Sequence, residues 1–256
     1  MHKYRIKEKL AAGQPVFGAM VGVPSPNVVE MLGWIGFDWV LIDAEHGSIN
    51  ETEAEGMVRA CEVADIAPIV RPPTNRPEVI LRFMDRGALG VQVPHVMDAA
   101  GAKAVVDAVK YYPLGRRGVG PSRPAFYNIK GSQLEYLETA NRETFVCLMI
   151  EDVEGVENLK EMVKVDGVDV FFVGTGDLSQ SMGFPGRRDV PEVQQMARRA
   201  VDTIVRAGRT AGVSCPEQDT PAWLERGVRY FHTSIGSLVR QGGRWYMGLV
   251  GASAPK

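Results

Sequence analysis

Eight short apolar runs separated by stretches of helical periodicity set the pattern of this chain: residues 17–20, 39–43, 68–71, 90–94, 145–151, 168–174, 211–215 and 230–235. Most are continuously apolar rather than alternating, as in Val-Asp-Val-Phe-Phe-Val-Gly at 168–174. Strands read this way when a parallel sheet is covered on both faces. Helix-start signals lie between the runs: Ser25-Pro26 ahead of Val28, Val29 and Leu32; Asn50 with Glu53 as a capping pair; Asn75 with Glu78; Asp98 ahead of Val105, Val106 and Val109. Strand and helix therefore alternate. Eight βα units in 256 residues predict an α/β chain folded as a closed (β/α)8 TIM barrel, because an open doubly wound sheet usually has fewer strands.

No glycine-rich phosphate fingerprint follows the first strand, which argues against dinucleotide binding. No linker or repeat divides the chain, so a single domain over residues 1–256 is expected. Two connections are longer than the rest and are expected to be able to shape a site: 112–143, containing Gly115-Arg116-Arg117-Gly118-Val119-Gly120-Pro121, and 177–189, ahead of a helix at 191–207.

Composition narrows the class further. At 45% hydrophobic and 23% charged residues the chain is an ordinary globular protein, not a disordered or disulfide-scaffold one. Its 29 basic residues against 31 acidic ones leave a net charge of −2 with no basic tract, so nucleic acid is not an expected partner. No apolar run approaches the ~18 residues of a membrane span, so no membrane association is expected. Lys3, Arg5, Lys7, Glu8 and Lys9 interrupt the first ten residues, which disfavours a secretory signal and predicts a cytoplasmic address. The distant cysteines 61, 147 and 215 fit reduced, mostly buried thiols rather than a disulfide or zinc framework.

Barrel enzymes place reactive groups at the carboxyl ends of their strands. Here those ends carry Asp43-Ala44-Glu45-His46-Gly47, Arg71-Pro72-Pro73, His95, Glu151-Asp152 and Gly174-Thr175-Gly176-Asp177. A carboxylate directly after Cys147-Leu148-Met149-Ile150 is costly to bury without a partner, and a bound cation is one such partner. Glu151 and Asp177, from adjacent strands, form a hard and incomplete oxygen sphere suited to Mg²⁺, Mn²⁺ or Co²⁺, with open positions for water and substrate. The alternative stands beside it: Glu151 paired with a neighbouring arginine and Asp177 capping a helix that begins at Leu178. Arg71 offers a planar charged fork to a carboxylate or enolate oxygen, or forms an ion pair with Glu151 or Asp43. Asp43, three residues before His46, is expected to fix its imidazole as an acid/base dyad. His2, His95 and His232 read as structural histidines.

Absences also inform. The lysines, at 3, 7, 9, 103, 110, 130, 160, 164 and 256, all fall outside the expected strands, so imine catalysis is disfavoured and a metal would have to stabilise a carbanion. There is no Gly-x-Ser-x-Gly elbow and no His-x-His on the first strand.

The segments at 37–47, Val70-Arg71-Pro72-Pro73, Gly115-Arg116-Arg117-Gly118-Val119-Gly120, Ile150-Glu151 and Gly174-Thr175-Gly176-Asp177-Leu178-Ser179 resemble the HpcH/HpaI family of metal-dependent pyruvate aldolases across nearly the whole chain. The resemblance implies a lyase that forms or cleaves 4-hydroxy-2-oxo acids from pyruvate, or a related 2-oxo acid, and an aldehyde. Glu151 and Asp177 would bind the divalent ion, and the ion and Arg71 would share the enolate charge. The N–H groups at Gly176 and Asp177 would receive the substrate carboxylate, which the helix dipole favours independently. His46, held by Asp43, would move the proton, with Asp85 as a further acid near that dyad. The resemblance also implies a homo-oligomer, a hexamer with an exchanged C-terminal helix, here within 237–250 and interrupted by Gly242-Gly243.

Two departures bear on substrate choice. The family commonly has glutamine where this chain has Met149, which the two-residue strand period places on the face of Glu151 at the substrate edge. The loop Pro121-Ser122-Arg123-Pro124 also differs, and Arg116, Arg117 and Arg123 are either a draw for an anionic acceptor or a solvated basic loop. Other readings remain open: decarboxylation of oxaloacetate-like acids, cleavage of a CoA thioester, or a non-catalytic barrel that binds a 2-oxo acid.

Overall fold

In the computed structural model, which describes residues 2–249 and 251, all eight expected strands form and close into one parallel barrel in the order β1 to β8. In chain order the elements are α1 (Ile6–Ala11), β1 (Val16–Val21), α2 (Pro26–Ile35), β2 (Trp39–Asp43), α3 (Glu51–Ala64), β3 (Ala67–Arg71), α4 (Pro77–Asp85), β4 (Gly90–Val93) and α5 (Ala99–Val109). Then come α6 (Gln133–Glu143), β5 (Phe145–Ile150), α7 (Val153–Glu157), α8 (Leu159–Met162), β6 (Val170–Val173) and α9 (Thr175–Ser181). The chain finishes with α10 (Pro191–Arg206), β7 (Ala211–Val213), α11 (Thr220–Glu225), β8 (Tyr230–Ser234) and α12 (Ile235–Leu249).

The continuous apolarity of the strands has its cause in two cores. One side of each strand faces the helices, burying residues such as Val40, Ile42, Val70, Val91, Leu148 and Phe171. The other side fills the barrel lumen with Trp39, Leu41, Ile69, Cys147, Phe172 and Tyr230, so the cylinder is packed and not a pore. Trp39 stacks on Tyr230 with ring centroids 4.1 Å apart. Gly18 on β1 makes room for it, since any Cβ there would run into the indole.

Local signals explain the helix starts. The Ser25 hydroxyl accepts from the Val28 N–H at 3.4 Å, and Asn50 and Glu53 complete a reciprocal capping box. Asp98 accepts from the Gly101 N–H at 2.6 Å. The expected Asn75–Glu78 cap is a correction: Pro77 opens α4, which forces Arg76 into an extended conformation as N-cap with no side-chain bond. Asn75 instead donates to the Gly101 carbonyl at 3.2 Å. The C-terminal helix is a second correction, since α12 runs through Gly242-Gly243 without a break. Two exposed helical glycines weaken a helix by about 1 kcal/mol each without ending it. Val250, the expected end of that helix, lies outside the described residues.

The direction of the chain decides which parts meet. Every strand points its carboxyl end to the same rim, and each helix carries the chain back to the opposite rim. The segment 110–132 therefore leaves from the end of α5 at the opposite rim, and its turn at Arg123–Asn128 packs beside α3 and the end of α4. It does not shape the carboxyl-end rim of its own barrel. The 182–190 connection does.

Candidate active site

A cavity of about 180 Å³ opens among the carboxyl ends of the strands, lined by Glu151, Asp177, Arg71, His232, Met149 and Arg188 with their neighbours. Larger hollows exist elsewhere on the surface. This small one is where the charged strand ends converge.

Glu151 follows β5 and its side chain is almost fully buried. Its Oε1 accepts from the His95 backbone N–H at 3.0 Å, while Oε2 has no hydrogen-bond partner. His95, just past β4, sits at φ 51°, the left-handed region, which costs about 1 kcal/mol or more for a non-glycine residue, and its N–H reaches the carboxylate that follows the neighbouring β5. Burial pushes the Glu151 carboxyl up to about 7, joined by the negative charges of Asp177 and Glu45 and opposed by His95. Beside it Gly174 leaves space: a Cβ there would lie 2.6 Å from Oε2.

Asp177 lies in the first turn of α9, three residues after the N-cap, Gly174. It does not cap a helix at Leu178, because the helix already begins at Thr175. It faces the same cavity as Glu151. The pair fits a divalent cation: an orphaned, buried carboxylate oxygen, a second acid in reach of its field, and hard oxygen donors throughout. Among the described residues no group of three or more His, Cys, Asp or Glu side chains is placed to hold an ion, so an ion held here by these two carboxylates would take its remaining ligands from water and substrate.

Asp43 and Arg71 stand side by side in register on β2 and β3. Their side chains meet at two points, Nε to Oδ1 at 2.9 Å and Nη2 to Oδ2 at 2.7 Å, both buried. Asp43 Oδ1 also accepts from the backbone N–H groups of Glu45 at 3.1 Å and His46 at 3.3 Å. Burial works to raise this carboxyl, but the guanidinium and the two N–H groups outweigh it and hold it below the usual range. Glu45 Oε2 adds a third contact to Arg71, 3.2 Å from Nε. The guanidinium is thus gripped from one side by two acids and faces the cavity with its other.

Residues 18–230 match the HpcH/HpaI aldolase/citrate lyase family. Hydroxypyruvate/pyruvate aldolase of Pseudomonas aeruginosa is 34% identical over 98% of this chain and 94% of that protein. The 4-hydroxy-2-oxo-heptane-1,7-dioate aldolase of Salmonella typhimurium is 37% identical over 93% of this chain and 90% of that protein. The chain belongs to the HpcH/HpaI aldolase/citrate lyase family. A crystal structure of a member from Burkholderia cenocepacia J2315 superimposes with a TM-score of 0.90 at 27% identity, over 96% of this chain and 99% of that one. The relatives are named as aldolases, which make and break carbon–carbon bonds, and this chain is a lyase of that family.

Within this HpcH/HpaI barrel the structure brings Glu151, Asp177, Arg71, Met149, Gly176 and His46 to one cavity. Asp43 reaches it through Arg71. The expected Asp43–His46 dyad is a correction. Asp43 spends its oxygens on Arg71 and on backbone, and the carboxylate nearest the His46 ring is Glu45, 3.9 Å from Nε2. The turn after β2 points the His46 side chain outward, where it is 67% exposed at the rim. Asp85 is a second correction: it ends α4 at the opposite rim, where it pairs with the buried Arg117 at 2.7 Å. Arg116 approaches Asp107, and Arg123 is paired with Glu62, so these arginines are engaged away from the cavity.

Sequence reasoning missed four members of the site. Glu45, just past the end of β2, carries no expected role in the sequence and is found against Arg71. Arg188 comes from the 182–190 connection, with Nη2 3.1 Å from where a Cβ on Gly176 would lie. His95 lies against Glu151 and bonds Asp152 at 2.9 Å through Nδ1. His232 lines the cavity from β8. For His95 the available signal was its place at a strand end. His232 had none, because β8 carries an aromatic and a polar residue on each parity, Tyr230 with His232 and Phe231 with Thr233, so the inward and outward positions look alike. His2 remains at the surface, bonded to Asp65 at 3.0 Å.

Proposed function

We propose that this chain is a divalent-cation-dependent aldolase that joins or cleaves a carbon–carbon bond between a 2-oxo acid of the pyruvate type and an aldehyde. The supporting observation is Glu151: a nearly fully buried carboxylate with one oxygen left without a partner, beside Asp177, in a family whose members depend on divalent metals. Glu151 and Asp177 would hold the cation, of the Mg²⁺, Mn²⁺ or Co²⁺ kind, which when bound supplies Lewis acidity toward the keto group.

The chain's own residues divide the remaining work. Arg71, immobilised by Asp43 and Glu45, presents fixed N–H groups to the oxygen on which negative charge grows as the donor loses its proton. Because that geometry is preset, no reorganisation is needed at the moment of reaction. The substrate carboxylate is received at Gly176 and Asp177, with Arg188 adding positive charge over that spot. Met149 offers a thioether wall there. His46, at the rim beside Glu45, exchanges a proton with the aldehyde-derived oxygen, and solvent access lets it recharge between turnovers. Among the described residues no lysine lines the cavity, in keeping with catalysis without an imine.

The test is solvent deuterium exchange into the methyl group of pyruvate, followed by NMR. Exchange is expected with Mg²⁺ or Mn²⁺, lost with a chelator, and lost in Glu151→Gln. Exchange that persists in either case overturns the reading. Product analysis with oxaloacetate and with acyl-CoA substrates separates it from decarboxylation and thioester cleavage, and binding without exchange or turnover would mark a non-catalytic barrel.

The same reading includes assembly and address. Trp245, Tyr246 and Leu249 of α12 are exposed, as are Met31, Trp34 and Ile35 of α2, apolar surface that a homo-oligomer with an exchanged C-terminal helix would cover. Light scattering is expected to give a hexamer, and a monomer would overturn this part. Three free thiols suit a reducing cytoplasm, and among the described residues no helix is long and apolar enough to cross a membrane.

A further inference from the structure

His232 forms part of the floor of the cavity, and nothing in the proposed chemistry uses it. It faces the lumen from β8, in register with Gly18, and its ring stacks on Phe172 at 5.0 Å and meets Trp39 edge-on at 5.8 Å. The ring is therefore held between two aromatic walls. Nδ1 lies 3.3 Å from the Thr233 carbonyl, which selects the tautomer with the proton on Nδ1. Nε2 is left as an acceptor: among the described residues it has no hydrogen-bond partner, and it is not among the fully enclosed orphan atoms. Burial, helped by the positive charges of Arg71 and Arg188, pushes the imidazole down to about 4, so the ring is neutral at physiological pH.

The surroundings narrow what this acceptor can serve. Met20, Met149 and Phe172 give the neighbouring walls no conventional hydrogen-bonding group, and the charged groups Arg71, Glu151, Asp177 and Arg188 suit the carboxylate and keto oxygens of a 2-oxo acid. Ser214 also lines the cavity, but its hydroxyl rotates to donate or accept and so discriminates little. With the charged groups taken up by the acid's own oxygens, a fixed, neutral acceptor beside Met20, Met149 and Phe172 is satisfied by a neutral donor, such as a hydroxyl. A methyl group in its place leaves Nε2 unpaired or dependent on a trapped water.

We infer that His232 is a specificity-determining residue that selects a 2-oxo acid bearing a hydroxyl on its third carbon over the unsubstituted acid. The inference rests on the proposed aldolase reading for its substrate class. In this chain a polar group on β8 would thus recognise the donor in a cavity that Met149 also lines.

Calorimetric titration of the Mn²⁺-loaded full chain with hydroxypyruvate and with pyruvate tests it, alongside kcat/KM for both donors with a common aldehyde. Hydroxypyruvate is expected to bind about tenfold more tightly, the difference made by one neutral hydrogen bond. In His232→Phe, which keeps a ring against Phe172, the preference is expected to collapse toward parity, mainly through weaker hydroxypyruvate binding. His232→Gln, which restores a neutral acceptor, is expected to recover part of it. Equal affinities in the unmodified protein, or a preference that survives in His232→Phe, overturn the inference. If neither donor turns over, the aldolase reading fails, and the ratio of dissociation constants still decides the role of His232.

Discussion

Gly174 and Glu151 lie against each other so closely that a side chain at 174 would have to push the carboxylate aside: a Cβ there would stand 2.6 Å from Glu151 Oε2 and 3.0 Å from Glu151 Cβ. The backbone at 174, with φ −86° and ψ 88°, is open to any residue. The glycine is there for space and not for conformation.

Gly174→Ala should therefore displace the carboxylate without disturbing the chain. Mn²⁺ affinity, read by calorimetry or electron paramagnetic resonance, is expected to fall by about 10- to 100-fold, the usual effect of disturbing what orients a ligand. The far-ultraviolet circular dichroism should be unchanged. Unaltered Mn²⁺ affinity would mean that Glu151 does not hold the ion.

The Asp43–Arg71 pair predicts a split between stability and rate. Asp43→Asn leaves a buried guanidinium with Glu45 as its sole acid, which should cost about 2–4 kcal/mol in urea unfolding, somewhat less than a buried pair broken outright. Arg71→Lys keeps the charge but loses the two-point contact and the planar array of donors. Its kcat should drop by about 100-fold with a smaller loss of stability. Equal effects of the two variants on both quantities would contradict the assigned roles.

His232 predicts an acid-side loss of stability. Its folded value of about 4 lies below the ordinary histidine value of 6.5, so between these pH values the unfolded chain binds more protons than the folded one. Stability from this group is complete above pH 6.5 and is lost as pH falls toward 4, by up to about 3 kcal/mol. Unfolding free energies of the metal-free protein and of His232→Phe, compared from pH 7.5 to 4.5, should show a shallower slope in the variant. Parallel slopes would show that the ring is not held neutral.

Much of this protein is legible from residue pattern alone. The eight strands appear where the apolar runs lie, with ends differing by at most two residues, because a strand covered on both faces has no polar alternation to blur its limits. The Ser25, Asn50 and Asp98 helix starts are also readable, since capping acts within a few residues. Asn75 failed because Pro77, two residues on, took over the start of α4.

The sequence by itself determined the order of strands, the kind of fold, and the acids, arginine and histidine placed at strand ends; these follow from local periodicity and from the rule that strand ends form one rim. Only the tertiary structure decided which of those groups touch. Asp43 pairs with Arg71 rather than His46 because strand register sets them side by side, 28 positions apart in the chain. Asp85 falls at the far rim because a helix reverses the chain. Whether His232 faces the lumen or the helices depends on strand parity, and β8, with an aromatic and a polar residue on each parity (Tyr230 and His232 on one, Phe231 and Thr233 on the other), leaves no mark of it until the barrel closes.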